Sequence, residues 1–282
     1  MILFKEIASI QSKIRLHKTN GKRIGFVPTM GALHSGHLSL INKSRTGGNI
    51  TVSSIFVNPT QFNDKKDYDK YPVTIENDIL LLNKVHTDIL FLPSVTEIYP
   101  NGLTPAKEYN LGYLEKILEG FYRPGHFQGV CRVVHRLLEI IQPDDLYMGQ
   151  KDYQQCLVVQ KLIDTYQLQT RLHIIATERE DNGLAMSSRN LRLSGPAKEK
   201  ATAIYKTLNF IKQHISTLSL NELKETAASM IINGGFQKLD YVEICDAKTL
   251  MPVKEFNDKT KFVALAAAFI DDVRLIDNLL LN

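Results

Sequence analysis

The segment that most constrains the fold lies at residues 26–41, where a strand pattern changes to a helix pattern across a short loop. An apolar, β-prone run stops at Pro28, and a periodic apolar segment begins at Leu38. Gly31 and Gly36 lie between them, and neither has a Cβ that would keep a ligand from the backbone. The order strand, glycine loop and helix predicts a nucleotide-phosphate site at the positive end of the helix.

Two histidines, His34 and His37, flank the predicted start of this helix. Imidazoles three residues apart on a helix face one side and can donate to the same anion. Two alternatives stay open here, ordinary surface histidines and a pair of metal ligands. The loop lacks the Lys-Ser/Thr ending of a Walker loop and the spacing of a dinucleotide fingerprint. Histidines and backbone would therefore hold the phosphate.

Strand and helix patterns alternate along the first 176 residues. After the first strand, the β-prone runs cover residues 49–57, 89–92, 145–149 and 172–176. Such alternation predicts an α/β fold with a doubly wound parallel sheet. We also expect helices over residues 7–17, 38–44 and 130–141, a helix over 111–118, and a charged loop over 64–71.

The composition shifts at residues 194–196, which we predict to be a hinge. Two helices are expected beyond it, at residues 197–214 and 221–232. Three strand-like runs then finish the chain, which predicts a smaller C-terminal α+β domain.

Polar side chains follow several of the predicted strands. Asn58 and Gln61 come directly after the run at 49–57, at the edge of an α/β sheet where ligands bind, although closing a turn is the alternative. Lys151 follows the run at 145–149 and can meet a phosphate as a point charge; a lone surface lysine is the alternative.

Two further loops carry candidate anion contacts. Arg123 and His126 lie in a glycine-rich loop before a predicted helix. Three roles stay open for them: solvated charges, contacts to an anion, or part of a lid. Arg189 closes a polar loop that begins at Thr177, and it is placed to brace phosphate oxygens.

Composition excludes few functions. The 282 residues have a formal charge of +4, which neither requires nor excludes nucleic acid, and the longest apolar run, at 262–270, is too short to cross a bilayer. Lys5 and Glu6 interrupt the apolar start, so we expect no signal peptide. Cys131, Cys156 and Cys245 are odd in number and widely spaced, which is typical of buried thiols in a reducing cytoplasm.

The chain resembles the pantothenate synthetase (pantoate–β-alanine ligase) family over essentially its whole length. The resemblance rests on five segments in one order: PTMGALHSGH at 28–37, FVNPTQF at 56–62, RPGHFQG at 123–129, KDYQQ at 151–155 and GLAMSSRN at 183–190. The family belongs to the nucleotidyltransferase group, whose His-x-Gly-His and Met-Ser-Ser-Arg-like signatures also mark class I aminoacyl-tRNA synthetases.

The resemblance implies a Rossmann-like domain at residues 1–176 that carries the active site, and a lid domain at 177–282 in which 177–196 forms the site loop and hinge. It also implies a homodimer. From the cysteines, the mild charge and the short apolar runs, we expect a cytoplasmic protein with no nucleic-acid or membrane partner. ATP and pantoate would give pantoyl adenylate and pyrophosphate, and β-alanine would then give pantothenate and AMP, in vitamin B5 and coenzyme A biosynthesis.

The resemblance also implies roles for individual residues. His37 would be the catalytic acid, and His34 and Lys151 would contact the phosphates. The residues implied to line the ATP site are Met30, Gly31, Ala32, Leu33, His34, Ser35, Gly36, His37, Gly149, Gln150, Lys151, Asp152, Glu178, Met186, Ser187, Ser188 and Arg189. Those implied to bind pantoate or β-alanine are Gln61, Gln155, Asn58, Arg123 and His126.

Two positions depart from the family pattern. Gln150 stands where the family usually has glutamate, and Asn77-Asp78 stands where it tends to have an acidic pair. Asp78 is therefore the implied ligand of the Mg²⁺ that accompanies ATP.

Three other functions compete with this one. The first alternative is another nucleotidyltransferase that uses a different acid or phosphate. The second is a tRNA-binding relative of the synthetases, and the third is a nucleotide-binding regulator without turnover. The sequence shows no obvious anticodon-binding extension and only mild basicity, which disfavours the tRNA interpretation. The full set of charged motif residues disfavours the regulator.

Overall fold

The computed structural model of the chain describes residues 1–63, 65–104, 107–257 and 259–282. These residues group into two compact units by their packing. The first unit comprises Met1–Gly149 with Val158–Ala176, and the second comprises Gln150–Leu157 with Thr177–Asn282. The sequence predicts two independently folding domains, 1–176 and 177–282, and these boundaries stay a prediction.

The first unit is built on a six-stranded sheet in which every described pairing is parallel. Its strands are β1 (Ile2–Phe4), β2 (Ile24–Thr29), β3 (Ile50–Ile55), β4 (Ile89–Phe91), β5 (Asp145–Gly149) and β6 (Arg171–Ile175). Their order across the sheet is β1-β4-β3-β2-β5-β6. The chain therefore winds outward in both directions from the neighbouring strands β2 and β5, which confirms the predicted doubly wound sheet.

Helices connect these strands, as parallel pairing requires. They are α1 (Ile7–Thr19), α2 (Ser35–Thr46), α3 (Lys65–Asp69), α4 (Ile75–Lys84), α5 (Val95–Ile98), α6 (Leu118–Tyr122), α7 (His126–Ile141) and α8 (Tyr153–Thr165). Apolar side chains of β2, β4 and α4 pack in the core of this unit, among them the fully buried Phe26, Phe91 and Leu82. Among the described residues, the helices are all too short or too polar to cross a membrane.

Several predicted boundaries were wrong for local reasons. Helix α2 begins at Ser35 rather than residue 38 because His34 is its extended N-cap residue. Helix α7 begins at His126 rather than residue 130, directly after Gly125 in a left-handed conformation. Strand β2 continues through Pro28 because its pairing with β5 ends at Phe26, so the missing N–H removes no ladder hydrogen bond there.

Other elements were missed. Strand β1 was not predicted, and the charged segment predicted as a loop contains α3; Asp64, at its start, lies outside the described residues. The predicted helix at 111–118 is a 3-10 turn, Gly112–Glu115, followed by α6.

The second unit carries a three-stranded antiparallel sheet, β7 (Lys238–Asp246), β8 (Phe262–Ile270) and β9 (Val273–Leu280), in that order. Its helices are α9 (Gly195–Ala201), α10 (Ala203–His214) and α11 (Leu220–Asn233). The single helix predicted at 197–214 is divided at Thr202, whose hydroxyl donates to the carbonyl of Glu199. This arrangement confirms the predicted α+β class.

Candidate functional site

The candidate site of the first unit lies at the carboxyl ends of β2 and β5, where the winding direction of the sheet changes. In open α/β sheets, the divergence of the connections at this point leaves a crevice that binds ligands. Strand β2 leads into the loop that starts at Met30, and β5 ends at Gly149. The predicted nucleotide motif therefore starts at the edge of the sheet where the fold leaves room for a ligand.

The loop after β2 has an unusual backbone. Gly31 and Ala32 both have positive φ angles, 84° and 49°, which turns consecutive N–H groups toward the protein interior. The hydroxyl of Thr29 accepts from the Gly31 N–H at 3.2 Å and donates to the Ser54 carbonyl at 2.7 Å. A Cβ on Gly31 would lie 3.0 Å from a carboxylate oxygen of Asp78, so both the φ angle and the close approach require glycine.

Asp78 holds this loop from the first turn of α4. Its carboxylate is fully buried and accepts from the backbone N–H groups of Ala32 at 3.0 Å and Leu33 at 2.8 Å. The hydroxyl of Thr74 donates to the same carboxylate at 3.1 Å. Charged acceptors make strong hydrogen bonds in a buried site, so Asp78 fixes the conformation of the loop.

The predicted Mg²⁺ role of Asp78 stays a prediction. Both of its oxygens already accept hydrogen bonds from the protein, at distances of 2.8–3.1 Å. Among the described residues, no group of three or more His, Cys, Asp and Glu side chains is arranged to hold a metal ion. The contacts of Asp78 are thus those of a residue that holds the loop after β2 in place.

His34 and His37 are brought side by side at the start of α2, with ring centroids 4.1 Å apart. The backbone N–H of His34 donates to Nδ1 of His37 at 3.3 Å. Because Nδ1 accepts, a neutral His37 imidazole carries its proton on Nε2. Both rings are half-buried beside the first-turn amides of a twelve-residue helix, an arrangement that suits an anion.

A second group of predicted residues surrounds the 3-10 turn Pro59–Gln61 after β3. The Gln61 side-chain amide donates to the sulfur of Met30 at 2.8 Å, so this glutamine lies against the loop after β2. Helix α7 packs on the turn at Gly129, where a Cβ would lie 2.1 Å from the Thr60 carbonyl oxygen. Glycine at this position allows the helix to approach the turn closely.

Asn58 is fully buried beneath this turn. Its amide group donates to the carbonyl of Gly129 at 3.1 Å and to the side-chain oxygen of Gln61 at 3.2 Å. Its oxygen accepts from Thr60 and from the Tyr99 hydroxyl. These contacts are those of a residue that closes a turn, and contact with pantoate or β-alanine stays a prediction.

His126 and Arg123 support the turn from the start of α7. Nδ1 of His126 lies 2.8 Å from the Gln61 carbonyl oxygen, and Nε2 lies 3.1 Å from a guanidinium nitrogen of Arg123. A carbonyl only accepts and a guanidinium only donates, so Nδ1 carries the proton and the buried ring is neutral. Arg123 also lies 3.7 Å from the Glu119 carboxylate. A direct contact of either residue with substrate stays a prediction.

The remaining predicted residues belong to the second unit. Lys151 lies in the 3-10 turn Gln150–Asp152, with its ammonium 3.7 Å from the Asp152 carboxylate. Gln155 is half-buried in the first turn of α8. A joint site of these residues with His34 and His37 stays a prediction.

A hairpin precedes Met186 and Arg189 in the chain. Arg179 and Ala185 form an antiparallel bridge, and the Met186 N–H donates to the carbonyl of Glu178 at 2.9 Å. The hydroxyl of Ser187 then accepts from the Arg189 N–H at 3.2 Å, at the start of the turn Ser188–Arg192. Ser187 thus fixes the backbone from which Arg189 extends.

The three cysteines are buried free thiols. Burial raises the pKa of Cys131 and of Cys245 to about 12, and it raises the pKa of Cys156 as well. Thiols with raised pKa values are poor nucleophiles at neutral pH, so these residues belong to the packing of the protein.

Comparison with known proteins identifies the family. The model of the family described as pantoate-beta-alanine ligase matches residues 2–280. The chain belongs to the pantoate–β-alanine ligase family.

Relatives within the ligase family match along their whole length. The pantothenate synthetase of Cytophaga hutchinsonii is 44% identical over 283 residues, which cover 98% of each chain. The crystal structure of pantothenate synthetase from Thermus thermophilus has a TM-score of 0.91 and 36% identity, with 99% of each chain covered. The ligase from Francisella tularensis, complexed with β-γ ATP and β-alanine, has a TM-score of 0.82 and 39% identity, covering 99% of this chain and 97% of that one.

Membership of the ligase family confirms the resemblance found in the motifs. The motifs did not reveal the residues that hold them in place, because those partners are distant in sequence. Asp78 is 45 and 46 positions from the backbone N–H groups that donate to it, and nothing in its local sequence indicates those partners.

Proposed function

We infer that this chain is an ATP-dependent pantoate–β-alanine ligase. It converts pantoate and ATP to pantoyl adenylate and pyrophosphate, and β-alanine then displaces AMP to form pantothenate. The family match over residues 2–280 is the observation that carries this inference. The paired imidazoles of His34 and His37 at the carboxyl end of β2 support it, because they provide donors for a polyphosphate at the start of α2.

The reaction needs positioned charge rather than a protein nucleophile. The pantoate carboxylate attacks the α-phosphorus of ATP, and the β-alanine amine attacks the acyl carbon, so both nucleophiles arrive with the substrates. The proposed roles of His34, His37, Lys151 and Arg189 are to donate to phosphate oxygens as negative charge develops. His37 carries its donor on Nε2 in the neutral state, with Nδ1 fixed by the His34 backbone.

The acid is held by amide groups in this proposal. Gln61 and Gln155 orient pantoate without placing a like charge beside its carboxylate. Gln61 supports this role through its position, since its side chain contacts Met30 and its backbone carbonyl accepts from His126. Another nucleotidyltransferase with a different acid is the second candidate, and a panel of hydroxy acids in the same assay separates the two.

Mg²⁺ enters this proposal as the partner of ATP. The carboxylate of Asp78 is buried and shared among three protein donors, which fits a metal held mainly by phosphate oxygens and water rather than by a protein cage. Such an ion would supply positive charge to the triphosphate. Asp78 would then be a contributing ligand at most, while its hydrogen bonds keep the loop in place.

The cytoplasm and a homodimer complete the proposal. Three buried free thiols support a reducing compartment. The homodimer rests on the family resemblance and predicts a sedimentation mass of twice the 31.9 kDa of one chain.

One incubation tests the function. ATP, Mg²⁺, pantoate and β-alanine are expected to yield equal amounts of AMP and pantothenate, and omission of pantoate is expected to stop both. Without β-alanine, pantoate should still support exchange of pyrophosphate into ATP, because the adenylate forms first. A complete mixture that yields no AMP contradicts the proposal and favours the regulator. Binding of tRNA with a steep salt dependence would favour the tRNA-binding relative.

A further inference from the structure

Strand β9 carries two adjacent buried polar residues, Asp277 and Asn278, which are 5% and 2% exposed. Polar groups this deeply buried need partners, and here the partners belong to segments of the second unit that carry predicted nucleotide contacts. Asn278 contacts the turn that contains Lys151, and Asp277 contacts the base of the hairpin that leads to Arg189.

Asn278 uses its whole amide group on the Lys151 turn. Its nitrogen donates to the backbone carbonyl of Gln150 at 2.9 Å and to that of Lys151 at 2.8 Å. Its oxygen accepts from the side-chain amide of Gln150 at 3.2 Å. Both carbonyls that flank the Lys151 Cα are therefore fixed, and with them the direction in which the lysine side chain leaves the backbone.

Asp277 holds the hairpin through a two-pronged ion pair. The Arg179 guanidinium donates to the two carboxylate oxygens at 2.6 and 3.0 Å, and its face lies 3.9 Å from the centre of the Tyr205 ring. Burial raises the pKa of Asp277, while Arg179 opposes that rise. The same arginine donates to the carbonyl of Gly183, at the tip of the hairpin.

We propose that Asn278 is a positioning residue for adenylate formation, acting through Lys151. The inference rests on the proposed function of Lys151 as a phosphate contact. Lys151 has a flexible four-carbon side chain, so the position of its ammonium group depends on how firmly its backbone is held. Displacement of a charge-bearing group by about 1 Å costs on the order of a hundredfold in rate. Loss of the Asn278 hydrogen bonds can therefore lower the rate by up to that factor.

The chemistry of the brace makes the substitution Asn278→Asp informative. Asparagine and aspartate have the same shape, but aspartate at pH 7 has no N–H and would turn a negative oxygen toward two carbonyls. Asn278→Leu removes the hydrogen bonds without adding charge. We expect kcat/KM for ATP in pantoate-dependent pyrophosphate exchange to fall about tenfold or more for Asn278→Leu and further for Asn278→Asp, with the KM for pantoate changed by less than about threefold.

The decisive measurement is a double-mutant cycle with Lys151→Ala. If Asn278 acts through Lys151, Asn278→Leu causes no additional loss of exchange once the lysine side chain is absent. A purely structural role predicts the same fractional loss in both backgrounds. Asn278→Ser, which keeps one hydroxyl donor, is expected to lie between wild type and Asn278→Leu, and it replaces the leucine variant in the cycle if that variant does not fold.

Asn282 provides a matched control. Its side-chain amide also donates to a backbone carbonyl, that of Thr260, at 2.8 Å, but at the exposed end of the chain. Asn282→Leu should leave the exchange kinetics unchanged. Wild-type kinetics in the Asn278 variants, or an equal loss in the Lys151→Ala background, overturns the inference. Failure of the wild-type chain to form AMP refutes the proposed function instead, so the two failures are distinguishable.

Discussion

The two units hold their predicted phosphate-binding segments by opposite hydrogen-bond chemistry. In the first unit, the buried carboxylate of Asp78 accepts from two consecutive backbone N–H groups of the loop after β2. In the second unit, the buried amide of Asn278 donates to two consecutive backbone carbonyls of the turn after β5. In both, a side chain from a distant element fixes the backbone of a segment that carries predicted ligand contacts.

The difference follows from the backbone of each segment. Left-handed residues at Gly31 and Ala32 turn N–H groups inward, so their partner must be an acceptor. The turn at Gln150 and Lys151 presents carbonyls to β9, so its partner must be a donor. Aspartate and asparagine have nearly the same shape, so Asp78→Asn removes one acceptor and Asn278→Asp removes both donors without creating a cavity.

Asp78 and Asn278, the two side chains that fix these segments, are called braces below. The largest expected effect comes from removing a predicted ligand contact, His37, rather than a brace. We expect His37→Ala to slow pantoate-dependent pyrophosphate exchange by on the order of a hundredfold or more, because a positioned donor to the developing charge is lost. The measurement is exchange without β-alanine. Near-normal exchange would remove His37 from the mechanism and leave His34 as the proposed histidine donor of this segment.

The substitution Asp78→Asn, which removes one of the two acceptors that hold the loop after β2, should have the next largest effect. Asp78→Asn can turn only one acceptor toward the loop, so a buried N–H of Ala32 or Leu33 loses its partner. An unsatisfied buried donor costs about 1–3 kcal/mol, and we expect a loss of that size in the free energy of unfolding, measured by urea denaturation. We also expect the KM for ATP to rise about tenfold as the loop loosens.

Asp88→Asn is the matched control for this prediction. Asp88 also accepts from a backbone N–H, that of Thr51 at 2.8 Å, but it is solvent-exposed directly before β4, at the opposite end of the parallel strands from the loop after β2. Its substitution should change the free energy of unfolding by less than about 1 kcal/mol and leave the KM for ATP unaltered. Equal behaviour of the two variants would show that Asp78 is not a specific brace of the loop.

The sequence predicted the parts of this comparison that are encoded locally. Strand–helix alternation predicted the doubly wound sheet, and the motif at 28–37 predicted the loop that follows β2, whose binding of a nucleotide stays a prediction. The pairing of His34 with His37 followed from their spacing and the start of α2, although α2 begins earlier than the apolar pattern indicated.

The braces could not be predicted because they join residues far apart in the chain. Asp78 was predicted to bind Mg²⁺. Its position in α4 does not indicate that its carboxylate accepts hydrogen bonds from the loop N–H groups. Asn278 lies 127 and 128 positions from its partners, in a strand-like run with no motif. The divided helix at Thr202 and the early start of α7 at His126 likewise depend on single backbone features that an apolar pattern does not record.

Gln61 extends the comparison to a side chain that is held through its own backbone. Its carbonyl accepts from His126, and its amide donates to the Met30 sulfur. We expect Gln61→Ala to raise the Kd for pantoate about tenfold and to change the Kd for ATP by less than about threefold, since an oriented amide contact with the acid is lost. Calorimetric titration with each ligand measures both. Equal losses for the two ligands would place Gln61 outside the pantoate site.

The smallest expected effect concerns two arginine-paired aspartates with opposite pKa shifts. Asp277 in the second unit is buried so completely that desolvation raises its pKa despite Arg179. Asp145 in the first unit also experiences desolvation that would raise its pKa, but hydrogen bonds from His173 at 2.8 Å and Arg23 at 2.7 Å outweigh it and lower the pKa. Desolvation prevails at Asp277 although the Arg179 guanidinium and the Asn278 backbone N–H both donate to it, and the partners prevail at Asp145.

The lowered pKa of Asp145 fixes the sign of its contribution. A carboxyl group that is more acidic when folded stabilises the protein above its unfolded pKa, about 3.9, and that stability is lost as pH falls through the folded pKa. We therefore expect Asp145→Asn to flatten the decline of the melting temperature below about pH 4, whereas the exposed Asp164→Asn should leave it unchanged. An unaltered acid decline in Asp145→Asn would mean that His173 and Arg23 do not outweigh desolvation.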